Sequence, residues 1–196
     1  MTPTTALLFG RDDWPRVMQD PDETPIEERL GDALRETDAT IAVAESCTGG
    51  LVGSLLTDVP GSSDYFDRSL VTYSSRAKRA LLAVPREDLD AHGAVSAPVA
   101  RAMARGARDT ADTTWGVATT GIAGPDGGTD AKPVGTVHIG VARAGAWGSG
   151  DSATATEHHI FEGSRREIKG RIARRALAAV LERLDERRNP NSNDTA

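Results

Sequence analysis

The stretch from Thr40 to Leu56 constrains the fold most. A compact β-prone run, TIAVA at 40–44, is followed by the small residues Ser46-Cys47-Thr48-Gly49-Gly50, and then by Leu51, Val52, Leu55 and Leu56 at helical spacing. A strand that enters a helix through so tight a turn needs a sheet with helices laid on it. The alternation continues downstream. SLVTYS at 69–74 predicts a second strand leading to a helix through Ala77, Ala80, Leu81 and Leu82. WGVAT at 115–119 predicts a third strand, and 136–142 and 153–161 two more. Helices are predicted from Ile26, Leu30, Ala33 and Leu34, from 99–111 with Pro98 in the first turn, and from the four-residue repeat Ile168, Ile172, Ala176, Val180, Leu184.

A chain of 196 residues holds one such domain with a real core. The expected architecture is therefore a single α/β domain over 26–188, a three-layer α/β/α sandwich around a mostly parallel or mixed sheet. Residues 1–25, rich in Asp, Pro and Thr, read as a flexible N-terminal extension, and 189–196 as a disordered tail.

Charge and cysteine content narrow the function. Lys+Arg 23 against Asp+Glu 29 leaves a formal charge of −6, which argues against a role coating nucleic acid or a membrane surface. The single cysteine, Cys47, excludes an internal disulfide framework and a multi-cysteine zinc site. The longest uncharged run, 113–125, is too short to cross a bilayer, and the N-terminus lacks a basic, then apolar, leader pattern. A soluble cytoplasmic protein is expected.

Two strand ends carry chemically suggestive loops, ESCTGG at 45–50 and TTGIAGP at 119–125, and ligands of open α/β sheets bind at strand carboxyl ends. Ser46 stands at a helix entrance, where free amides stabilise a developing oxyanion. The plainer alternative is that Ser46 or Thr48 caps the helix. A nucleophilic serine needs a base. The histidines, His92, His138, His158 and His159, lie outside the glycine-rich loops, so a Ser-His triad is disfavoured. Lysine is the other choice, and only Lys78, Lys132 and Lys169 are present. Lys78 follows a predicted strand end, but acts as a base only if its pKa is depressed; otherwise it is an exposed helix residue. The neighbouring Cys47 is the rival nucleophile.

The strings AESCTGG (44–50), VTYSSRAK (71–78), GAVS (93–96), TTGIAGPDGG (119–128) and KPVGTV (132–137) together resemble the CinA carboxy-terminal domain family, the nicotinamide-nucleotide amidohydrolases or NMN deamidases. The resemblance implies hydrolysis of the carboxamide of nicotinamide mononucleotide to nicotinic acid mononucleotide and ammonia, in pyridine-nucleotide recycling. It also implies no cofactor or metal requirement, and a homo-oligomer. Carried over by position, the catalytic pair falls on Ser46 and Lys78, with Tyr73 as a hydroxyl partner between them. Cys47, Thr48, Gly49 and Gly50 supply the turn that faces substrate. Thr120 and Gly121 fall near the reacting group, and Arg165 is a candidate for the substrate phosphate. The alternative function is a non-catalytic nucleotide-binding or regulatory module.

Overall fold

The computed structural model describes residues 24–188. The tail expected at 189–196 and nearly all of the extension expected at 1–25 lie outside them. Five strands form one sheet: β1 (Ile41–Glu45), β2 (Phe66–Val71), β3 (Trp115–Gly121), β4 (Thr136–Arg143) and β5 (Ala153–Ile160), in the order β2-β1-β3-β4-β5. β1 is parallel to both β2 and β3, whereas β4 pairs antiparallel with β3 and with β5. The sheet is thus mixed, within the sandwich the sequence predicts.

The two faces of the sheet are built from different residues. Ile41, Val43, Val117, Ile139 and Val141 meet α1 (Ile26–Glu36), α2 (Leu51–Thr57) and α6 (Arg165–Arg188) in the larger core. The alternate positions on the other face are small: Ala42, Ala44, Gly116, Ala118, Gly140 and Ala142. Small residues are needed there because α5 (Ala97–Ala111) lies almost on the backbone; a Cβ at Gly140 would come within 2.3 Å of the Ala100 carbonyl oxygen. α3 (Ser75–Leu82) packs beside α5 on this face and buries Leu82.

Two elements differ from expectation. β2 runs over Phe66–Val71 instead of 69–74, because pairing with the five residues of β1 sets its length. The Thr72 amide closes the ladder on the Glu45 carbonyl. Ser74 is then free to cap α3, accepting the Ala77 amide at 3.1 Å. The helix α4 (Arg86–His92) was not expected. Its sequence REDLDAH offers one large apolar residue for packing, Leu89, and its signals are those of a helix start, Pro85 followed by Glu87 and Asp88 in the first turn.

Candidate active site

The carboxyl ends of the parallel strands β1 and β3 point the same way, and the turn 46–50 leaves from one of them. The first residue to act there is Glu45, to which sequence reasoning gave no role. Its side chain is wholly buried. One carboxylate oxygen accepts the amides of Gly50 at 2.9 Å and Val52 at 3.1 Å, and the other accepts the Gly53 amide at 2.9 Å and the Ser69 hydroxyl at 2.7 Å. The amino end of α2 is thereby capped by an anion that also answers the helix dipole. Gly50 sits at φ +99, where a side chain would be strained, and makes no side-chain cap of its own.

With that role filled, neither Ser46 nor Thr48 caps α2. The Thr48 hydroxyl is paired with that of Thr119 at 2.7 Å, both buried, which fixes the turn to β3. The Ser46 amide donates to the Thr119 carbonyl at 3.0 Å. Its hydroxyl is left for Lys78.

Lys78 faces inward from α3, and its side chain is fully buried. Its Nζ lies 2.9 Å from Ser46 Oγ, 2.8 Å from the Thr72 carbonyl oxygen and 3.3 Å from that of Tyr73. No carboxylate is among these partners. Burial accordingly depresses the Lys78 pKa below its ordinary 10.5, with only a small opposing pull from Cys47.

Tyr73 does not take the position expected of it. The direct contact between Nζ and Oγ leaves no room for a phenol between them. The Tyr73 side chain is 66% exposed, and the residue supports Lys78 through its main chain. Cys47 belongs to the larger core, and burial pushes its thiol up to about 12. That leaves little thiolate near neutrality.

The remaining motifs form one wall. Thr120 donates its hydroxyl to the Ala94 carbonyl at 2.7 Å. Lys132 donates to the carbonyls of His92 at 3.1 Å and Val95 at 2.7 Å. These bonds hold the GAVS segment against the end of β3. Gly121 is where β4 presses in, since a Cβ there would meet the Thr136 carbonyl oxygen at 2.6 Å. Arg165, exposed at the start of α6, donates to the Gly124 carbonyl and so ties α6 to the 121–125 loop. One turn further along α6, Lys169 reaches the turn 46–50: a Cβ at Gly49 would lie 3.6 Å from its Nζ. The sequence signals for Lys169 are the scarcity of lysine and its place on the basic face of the last helix, a candidate phosphate cradle.

The histidines lie elsewhere. His138 and His158 stack on each other across β4 and β5 with ring centroids 4.7 Å apart, and His159 joins a cluster around Glu157. None is a partner of Ser46. Among the described residues no helix is long and apolar enough to span a membrane.

Comparison with known proteins identifies the family. A family model described as the CinA C-terminal domain matches residues 23–184. A putative competence-damage inducible protein of Symbiobacterium thermophilum is 49% identical over 167 residues, covering 84% of this chain and 39% of that protein. A CinA-like protein of Chlorobaculum tepidum is also 49% identical, over 84% of this chain and 38% of its own length. The chain thus spans about two-fifths of these relatives. Among solved structures, the competence/damage inducible protein CihA of Agrobacterium tumefaciens superposes with a TM-score of 0.75 at 35% identity, over 85% of this chain and 99% of that one. A CinA superfamily protein of Klebsiella pneumoniae gives 0.76 at 32% identity, over 82% and 96%.

Proposed function

The chain belongs to the CinA C-terminal domain family, and from that premise we propose that it hydrolyses the carboxamide of nicotinamide mononucleotide, with Ser46 as nucleophile and Lys78 as base. The observation that carries this reading is the 2.9 Å separation of Lys78 Nζ and Ser46 Oγ, both buried, with no carboxylate among the hydrogen-bond partners of the amine.

A neutral amine has two N–H donors and one lone pair. The carbonyls of Thr72 and Tyr73 take the two donors, and the lone pair is left to accept the Ser46 hydroxyl. An ammonium would instead aim a third N–H at that oxygen and keep it protonated. Burial shifts Lys78 toward the neutral form, which is the form the chemistry needs.

Lys78 takes the hydroxyl proton as Ser46 Oγ bonds to the carboxamide carbon, and the carbonyl oxygen becomes an oxyanion. The amides of Gly50, Val52 and Gly53 are committed to Glu45, which leaves those of Cys47, Thr48, Gly49 and Leu51 as donors to the oxyanion. The Lys78 ammonium then passes its proton to the departing nitrogen, and ammonia leaves an acyl-serine. Water gives a proton to the regenerated amine and attacks the acyl carbon. Ser46 departs and recovers that proton, leaving nicotinic acid mononucleotide.

The test is ammonia release from nicotinamide mononucleotide by the purified chain, with and without a chelator. Turnover is expected in both, with Ser46→Ala inactive and Lys78→Ala slowed by about 10²- to 10⁴-fold while still binding the nucleotide. A chain that binds the nucleotide and yields no ammonia is a sensor, and the proposal fails.

A further inference from the structure

We infer that Lys169 holds the phosphate of the nucleotide, an assignment that rests on the deamidase reading. A phosphomonoester needs a cation or a cradle of amides, and most of those near the strand ends are already engaged. The α2 amides are filled by Glu45. Lys132 is bound to the carbonyls of His92 and Val95. Arg175 and Arg183 are held by Glu157, and Arg165 donates to Gly124.

Lys169 is different. Half-buried on α6, it brings its Nζ against the nucleophile turn at Gly49 with no carboxylate or carbonyl partner among the described residues. Gly49 carries no side chain, so the space between that ammonium and the turn stays open. The placement also suits the ligand's shape. Lys78 comes from the helical layer of α3 and α5, and Lys169 from the opposite layer of α6. A nucleotide crossing the strand end with its carboxamide at Ser46 would put its far, phosphorylated end on the α6 side.

The test compares wild type, Lys169→Gln and Lys169→Arg on nicotinamide mononucleotide and on nicotinamide riboside, which lacks the phosphate. The ratio of kcat/KM for the two substrates should fall about 10- to 100-fold in Lys169→Gln, mainly through KM, and be largely restored in Lys169→Arg. An unchanged ratio overturns the assignment, including the case in which both substrates slow equally because Lys169 serves the reacting carbonyl. If wild type releases no ammonia from either compound, the deamidase reading has failed. Calorimetry with nicotinic acid mononucleotide against its riboside then decides the present point alone. Preference for the phosphorylated ligand, lost in Lys169→Gln, supports it; equal binding of the two, or no binding of either, overturns it.

Discussion

Glu45 and Ser46 are neighbours in sequence and divide one helix entrance between them: the carboxylate closes the amino end of α2, and the hydroxyl is turned to Lys78. A serine at this place would ordinarily cap the helix and be chemically idle. Because an internal carboxylate does the capping, the Ser46 hydroxyl is held by the turn without being used up by it. The same arrangement occupies the Gly50, Val52 and Gly53 amides, so in the proposed reaction these three are not donors to the oxyanion.

The two substitutions should therefore separate stability from activity. Glu45→Ala leaves the buried amides of Val52 and Gly53, the part-buried amide of Gly50 and the Ser69 hydroxyl without an acceptor, at a cost of about 3 kcal/mol or more. Ser46→Ala abolishes ammonia release and changes stability by about 0.5 kcal/mol or less. Urea unfolding of both variants reads the difference, and equal midpoints would refute the division of labour.

Much of this was legible in the sequence, and the gaps have physical causes. Strands with apolar periodicity and the strand-turn-helix at 40–56 were readable because their spacing is local. The pairing of Ser46 with Lys78, 32 positions apart, came from a family resemblance; propensity has no access to it. The role of Glu45 was hidden because a buried glutamate looks, in sequence, like any exposed one, and its partners are backbone groups that leave no residue signature. Tyr73 was misplaced for a similar reason. Motif matching transfers a side chain, whereas here the working atom is the main-chain oxygen. β2 slid by three residues because partner length, not local β propensity, decided its end.

Cys47 should be a bystander in catalysis. Its thiol is buried and raised to about 12, so iodoacetamide at pH 7.5 is expected to leave activity intact. Cys47→Ala should retain turnover within a few-fold and lose about 1 kcal/mol of stability from the lost packing. Rapid inactivation by alkylation, with protection by nucleotide, would instead make the thiol part of the site.

Acid stability should depend on the far side of the sheet. Burial alone would raise the Glu157 pKa, but hydrogen bonds from Arg175 at 2.8 Å, His159 at 3.0 Å and Arg183 at 3.1 Å outweigh it and hold the carboxyl at about 2. A carboxyl with a depressed folded pKa contributes stability above its unfolded value of about 4.5, and loses it as the pH falls from there toward 2. Allowing for solvent screening, this is about 1 kcal/mol. Glu157→Gln should flatten that part of the stability profile. An unaltered slope between pH 4.5 and 2 would show that the cluster is neutral to folding.

Lys78 makes the opposite prediction at the alkaline end. Its folded pKa is depressed by burial below 10.5, so between the two values the unfolded chain binds the extra proton and stability rises with pH. Below the folded pKa the whole cost of the buried amine is present. Lys78→Met, similar in volume and free of charge, should be inactive yet at least as stable as the parent at pH 7, by about 1 kcal/mol, with the advantage shrinking toward pH 10. In the active protein the same group sets the acid limb of kcat/KM, which should climb with pH through the depressed pKa and then level off. Lys78→Arg, protonated throughout, should be inactive at every pH. Paired urea titrations at pH 7 and pH 9.5, beside a kcat/KM profile, test both limbs. A variant less stable than the parent at pH 7, with a flat rate profile, would mean that the lysine is charged in the fold and cannot be the base.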